Sequence, residues 1–143
     1  MISQALAVQL KEAGLVWHTS IHDFFAIPER DMDGRIFVLS DMMVTMELLR
    51  GWPAVMFHGT SEWAMDYLLT HEAVWLPTES QLREKLEEEL GVRNGRFHQL
   101  RRQDENYVCE ISLNGANLQF TAVDPNEAYG QALLTLLKKW GTD

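Results

Sequence analysis

The residues best suited to chemistry lie between positions 58 and 71. The stretch GTSEW at 59–63 falls between a predicted strand and a predicted helix, the context of the G-x-S-x-G turn that exposes a nucleophilic serine. The last glycine is missing, because Trp63 stands where strand and helix need a small residue between them. A helix N-cap explains Thr60 or Ser61 without catalysis. We therefore expect capping here, and no catalytic residue.

Side chains that could bind a metal ion or transfer a proton flank the same predicted helix: His58, Glu62, His71 and Glu72. A histidine near a helix C-terminus is also favoured by the helix dipole, without any metal. His18 and His22 lie in strand-like sequence, where a four-residue spacing means roughly 13 Å, too far for one ion. We predict no metal and no cofactor. The alternative is a small hydrolase or metal-dependent enzyme that uses His58, Ser61, Glu62 and His71.

Methionine and tryptophan are concentrated between residues 42 and 75, which contain five of the seven methionines and three of the five tryptophans. Most of these side chains must be core. Methionine and tryptophan are also the adaptable and anchoring residues of recognition surfaces, and two small adjacent elements cannot easily bury all of them. The candidate interface consists of Trp52, Met56, Trp63, Tyr67 and Trp75.

Composition limits the partners. The chain has 143 residues and a formal net charge of −9, which repels phosphate backbones. No apolar run approaches the roughly 20 residues that a bilayer requires, and the N-terminus has no basic region typical of a signal peptide. The single cysteine, Cys109, cannot form an internal disulfide and agrees with a reducing compartment. We expect a cytoplasmic protein that binds neither nucleic acid nor membrane.

The sequence contains no repeat or linker, and it predicts a single α+β domain over residues 1–143 with a topological seam near Pro77. The expected architecture is an antiparallel sheet packed with helices. It combines an N-terminal hairpin with a C-terminal three-stranded meander.

In the first half, a helix is predicted from Ser3 to Ala13, ended by Gly14. The segments HDFFAIP and RIFVLS flank an Asp33-Gly34 turn and predict a hairpin with Ile36–Leu39 as its buried arm. The next elements are a helix from Met42 to Arg50 stopped by Gly51, a strand at AVMF, a helix from Thr60 or Ser61 through Leu69, and an extended AVWL.

The second half carries stronger local signals. Thr78 followed by Gln81 predicts a capping box, with Leu82, Leu86 and Leu90 as the apolar stripe of that helix. RFHQLRR, YVCEISL and ANLQFTA predict the meander, with a type I′ turn at Asn114-Gly115. A second capping box is predicted from Asp124 to Glu127. The last helix is expected to face the sheet through Ala128, Ala132, Leu133, Leu136 and Trp140.

This order of helix, three strands and helix is also that of a double-stranded-RNA-binding domain. Such domains place lysines at the start of the second helix, whereas this helix begins with DPNE and would repel phosphate. The sequence therefore predicts no RNA binding.

Four segments follow one another along the chain: DFFAIPERDMDGRIFVLSDM, GWPAVMFHGTSEWAMDYLL, AVWLPTESQLREKL and EAYGQALLTLLKKW. In this order they resemble a group of short uncharacterised bacterial proteins, some of them labelled pilus assembly proteins. The second half is similar to small phage-type α-β-α sandwich proteins, in which WLPT..QL precedes a meander and an Ala-Leu-Leu helix. The resemblance implies a bacterial assembly protein and supplies no functional residues. The chain has no G-x-x-x-x-G-K-[ST] loop, so it is not expected to be a pilus ATPase.

These observations favour a protein-interaction or assembly module without enzymatic activity. We expect it to self-associate through the Met/Trp-rich segment, as a symmetric homodimer.

Overall fold

The computed structural model describes residues 1–28, 35–39, 44–49, 51–57, 67–69 and 72–140. Its helices are α1 (Gln4–Glu12), α2 (Glu79–Gly91) and α3 (Pro125–Trp140). Its strands are β1 (Phe24–Ala26), β2 (Phe37–Val38), β3 (Val44–Leu49), β4 (Trp52–Phe57), β5 (Tyr67–Leu69), β6 (Val74–Leu76), β7 (Gly95–Gln103), β8 (Asn106–Leu113) and β9 (Ala116–Ala122). All strand pairs are antiparallel, so the predicted α+β class is confirmed. None of the described helices combines the length and apolarity needed to cross a bilayer.

The chain divides into two compact units, with a boundary between Leu76 and Pro77. One unit comprises Met1–Val16 with Pro77–Asp143, and the other comprises Trp17–Leu76. The sequence placed its seam near the same proline. That the two units form one domain stays a prediction.

The first unit is a β7-β8-β9 meander covered by helices. Helices α2 and α3 pack on each other, α2 also packs on β7, and α3 packs on β8, β9 and α1. The predicted leucine stripe of α2 is confirmed, since Leu82, Leu86 and Leu90 are all buried. The buried residues of α3 include Ala128, Ala132, Leu133 and Leu136, as expected, and the side chain of Trp140 lies outside the described part.

The meander follows from its turns. Asn114 and Gly115 have φ angles of 52° and 80°, as a type I′ turn requires, and Leu113 pairs with Ala116 across them. The predicted hairpin is therefore confirmed in position and register. The sequence did not indicate the irregularity in β7, where the register shifts between Phe97 and Gln99.

Helix α2 begins with the predicted capping box. The Gln81 N–H donates to Thr78 Oγ1 at 3.3 Å, and the Thr78 N–H donates to Gln81 Oε1 at 2.9 Å. Each residue satisfies a backbone donor of the other, so the Thr78 region is a helix start.

The capping box predicted for α3 is wrong. Asp124 does cap the helix, because its Oδ1 accepts the Asn126 N–H at 2.7 Å. The Glu127 carboxylate instead accepts the Ser3 hydroxyl at 2.8 Å and the Ser3 N–H at 3.3 Å. The packing of α1 on α3 brings these two donors within reach of the carboxylate. The two hydrogen bonds connect the start of α1 to the first turn of α3.

The second unit contains two three-stranded sheets, ordered β2-β1-β6 and β3-β4-β5. In the first sheet, Phe25 is aligned with Phe37 on one side and with Trp75 on the other. The Phe25 ring also lies 5.5 Å from the Trp17 ring, between centroids. A small core forms here from Phe25, Ile27, Leu39 and Ala73.

The helix predicted from Met42 to Arg50 is wrong, because Val44–Leu49 is strand β3. Leu49 pairs with Trp52, and Gly51 has a φ angle of 85° at the turn between them. A glycine with positive φ ends helices and also forms two-residue hairpin turns, so Gly51 alone did not separate the two structures. The β-branched pair at the start of β3 favours the strand.

Two other expectations for this unit are corrected. The arm Ile36–Leu39 is not buried throughout: Leu39 is buried and Phe37 half-buried, whereas Ile36 and Val38 are exposed, because side chains alternate across a sheet. The helix predicted through Leu69 is wrong at its end, since Tyr67–Leu69 is strand β5. Its predicted start at residues 60–61 and the turn at 33–34 lie outside the described residues.

Candidate interaction surface

The tip of the β3–β4 hairpin presents a tryptophan to solvent. Gly51, Trp52 and Pro53 are all exposed, and Trp52 retains 61% of its accessible surface. The pairing of Leu49 with Trp52 places this indole beside the turn, at the first position of β4. An indole buries a large area on contact and is among the residues most often found at interface hot spots, so the tip is the strongest candidate anchor.

The other members of the predicted interface differ in position. Met56 and Tyr67 are register partners in β4 and β5, and their side chains lie outside the described part, as does Trp63 entirely. Trp75 is only 8% exposed, on a strand whose residues are all buried. Trp75 is therefore a packing residue, and its inclusion in the interface is corrected.

The residues of the enzyme alternative, His58, Ser61, Glu62 and His71, all lie outside the described residues. Among the residues that are described, no group of three or more His, Cys, Asp or Glu side chains is placed to hold a metal ion.

The free thiol of Cys109 is fully buried within the sheet core. Burial raises the pKa of this thiol from 9.0 to about 12, because a thiolate there would lose its hydration. Burial also raises the pKa of Tyr129, and the carboxylate of Glu79 contributes in the same direction. Both groups stay protonated at neutral pH, so neither has the electronic state of a nucleophile or a base.

A shallow depression of about 140 Å³ lies near the β7–β8 turn. It is lined by Gln103, Asp104, Asn106, Val108, Gln119 and Thr121. These side chains provide amides, a hydroxyl and one carboxylate. They include no histidine, lysine or cysteine.

A buried carboxylate organises the entry into β1. Asp23 is 4% exposed, and its Oδ2 accepts the Trp17 Nε1–H and the Ser20 N–H, each at 2.9 Å. The two bonds hold the turn before β1 and keep the Trp17 ring against Phe25. Asp23 therefore has a structural role that composition and spacing did not indicate.

Sequence reasoning also missed an exposed apolar edge. Ile36 and Val38 are 53% and 43% exposed, and Ile21, which lies in the turn before β1, is 50% exposed. Alternation of polar and apolar residues would have shown which face of the strand is exposed, but IFVL within RIFVLS is apolar throughout.

No protein-family model matches the chain, and no curated protein and no solved structure matches it.

Proposed function

We propose that this protein is a protein-interaction module that uses the β3–β4 hairpin tip as its anchor and that also self-associates. The observation that carries the proposal is the exposure of Trp52, at 61%, between exposed Gly51 and Pro53. An indole beside a two-residue turn is presented by a short, conformationally restricted segment, so little entropy is lost when a partner covers it. The partner is a protein surface with an apolar pocket of indole size.

Charge and composition support the same class of function. With a net charge of −9, the chain does not attract nucleic acid over long range. We place the protein in the cytoplasm on the grounds of its single cysteine. A link to pilus assembly depends on the resemblance alone, and the enzyme alternative stays a prediction.

The test compares Trp52→Ala with Val92→Ala. Val92 is 80% exposed and lies at the end of α2, so its truncation removes exposed apolar surface from the other unit. We expect Trp52→Ala to leave the melting temperature within a few degrees of the wild type. It should weaken the association seen by sedimentation velocity, or the capture of a partner from a bacterial lysate, by about tenfold or more, the usual loss at a hot spot.

Val92→Ala should behave like the wild type in both assays. Equal association and equal capture by wild type and Trp52→Ala would contradict the proposal, because the tip would then contribute nothing to binding.

A further inference from the structure

Helix α1 packs on α3, although the two helices lie at opposite ends of the chain. Both belong to one unit, but the chain that leads from α1 to the rest of this unit passes through the whole of the other unit, Trp17–Leu76. Among the described elements, α3 is the main packing partner of α1. The position of α1 in its unit therefore depends mainly on non-covalent contacts with α3.

The face of α3 that α1 covers matches α1 in shape and in hydrogen bonding. Ile2 and Leu6 are both buried there, and a Cβ on Gly130 would lie 3.4 Å from a methyl group of Ile2 and 2.6 Å from one of Leu6. The missing side chain of Gly130 thus leaves the space that these two residues fill. The Glu127 carboxylate accepts the Ser3 hydroxyl at 2.8 Å and the Ser3 N–H at 3.3 Å. This face is therefore a binding site for the α1 segment.

Helix α1 ends in a turn that depends on one glycine. Gly14 has a φ angle of 107°, its N–H donates to the Lys11 carbonyl at 3.1 Å, and the Leu15 N–H donates to the Leu10 carbonyl at 2.9 Å. These two bonds form a Schellman motif, which requires positive φ at Gly14. A Cβ on Gly14 would meet nothing within 4 Å, so only the backbone conformation requires glycine here. Rotation at this residue redirects α1 without changing the side chains that contact α3.

We propose that two copies of the chain exchange their α1 helices, so that α1 of each copy packs on α3 of the other. When Gly14 adopts a negative φ angle, the Schellman motif opens and α1 leaves in another direction. The exchanged helix then makes the contacts that it makes within one chain, including those of Ser3 with Glu127. The dimer therefore needs no binding site that the monomer lacks.

The inference deepens the self-association in the proposed function and rests on it, but it involves no residue of the hairpin tip. Because the same α1–α3 contacts form in both states, they do not decide between monomer and dimer. The loss of translational freedom and the repulsion between two copies of net charge −9 both favour the monomer. We therefore expect the dimer at high protein concentration and with added salt, which screens the repulsion.

Cross-linking between two full-length chains detects the exchange. One chain carries Ser3→Cys, and the other carries Glu127→Cys and an affinity tag. A short bifunctional maleimide should join them into a covalent heterodimer, since these positions contact each other across α1 and α3 and Cys109 is buried. The matched control adds Leu10→Lys to the Ser3→Cys chain, which places a charge where Leu10 has no exposed surface and should abolish the heterodimer. A single chain with both cysteines should cross-link within itself.

Gly14→Val tests the turn in the full chain. Valine rarely adopts positive φ, whereas the substitution keeps the N–H and meets no neighbouring atom, so it disfavours the closed turn alone. We expect the dimer dissociation constant, measured by sedimentation velocity, to fall about tenfold or more, because each copy loses a strained residue on exchange. Gly14→Val combined with Leu10→Lys should stay monomeric, since its α1 fits neither α3.

Two results would overturn the inference. The first is no heterodimer in the mixture, although the chain with both cysteines cross-links within itself. The second is a Gly14→Val dimer that is no tighter than the wild-type dimer, and this result decides alone if the two cysteines do not react. Trp52→Ala in both chains separates the hairpin tip from α1. An undiminished heterodimer supports the exchange of α1, whereas the proposed function fails when Trp52→Ala changes neither association nor capture of a partner.

Discussion

Two tryptophans in the second unit should respond in opposite order to the same substitution. Trp75 is 8% exposed, and its buried Nε1–H has no hydrogen-bond partner among the described residues. Trp17 is only half-buried, and its Nε1–H donates to Asp23 at 2.9 Å. Burial alone predicts that Trp75→Phe costs more than Trp17→Phe. The hydrogen bonds predict the reverse.

The magnitudes can be compared directly. Trp75→Phe leaves a cavity that costs on the order of 1–2 kcal/mol, and it removes a buried unpartnered donor whose desolvation costs about 1–3 kcal/mol. The two effects offset, so we expect the variant within about 1 kcal/mol of the wild type. Trp17→Phe removes a hydrogen bond to a carboxylate that is 4% exposed, which contributes about 1.5–3 kcal/mol. We therefore expect Trp17→Phe to be less stable than Trp75→Phe by about 2 kcal/mol.

Urea unfolding followed by far-UV circular dichroism measures this difference, since changes in tryptophan fluorescence would confuse the two variants. Equal m-values would show that the midpoints report stability rather than a changed unfolded state. Trp75→Ala is the control for ring packing, and we expect it to cost about 3–5 kcal/mol. A larger loss of stability for Trp75→Phe than for Trp17→Phe would refute the reasoning, because ring burial would then outweigh the state of the indole N–H.

Three further predictions concern the first unit. Thr78→Ala should lower the free energy of unfolding by about 1 kcal/mol through loss of the cap, whereas Ser80→Ala, in the same first turn, should be neutral or slightly stabilising. Gly130→Ala should have a free energy of unfolding at least about 1 kcal/mol lower than that of Gly91→Ala. The reason is that a Cβ on Gly130 would lie 2.6 Å from a methyl group of Leu6, whereas a Cβ on Gly91 meets nothing within 4 Å. Cys109 should resist iodoacetamide at pH about 8 until the protein is unfolded, because its thiol is buried. The folded state also holds the thiol proton more tightly than the unfolded state does. The contribution of this thiol to stability should therefore be complete below pH 9 and be lost as the pH rises toward about 12. Rapid labelling of the native protein would contradict the buried thiol.

The parts of the first unit that could be predicted are those with local causes. The Thr78 capping box and the Asn114-Gly115 turn each depend on residues within three positions of one another, so their geometry hardly depends on the rest of the chain. The second capping box failed for the opposite reason. Glu127 bonds to Ser3, which is 124 positions away, and no local pattern indicates that contact.

The second unit was less predictable because its strands are short. Strands β1, β5 and β6 have three residues each and β2 has two, too few for an alternating pattern to stand out from an apolar run. The glycine before Trp52 was interpreted as a helix end, so the hairpin and its exposed tip were missed. Trp52 was nevertheless included in the candidate interface, on composition alone.

Strand order explains why the β2 edge could not be found from the sequence. Strands β2 and β6 both occupy edges of one sheet, and both come from apolar runs, RIFVLS and AVWL. All three residues of β6 are buried, whereas Val38 in β2 is exposed. Both runs are apolar at their centres, so the local sequence does not show which faces of the two strands the rest of the fold covers. Ile36 and Val38 are therefore exposed apolar residues that the sequence does not distinguish from the buried residues of β6.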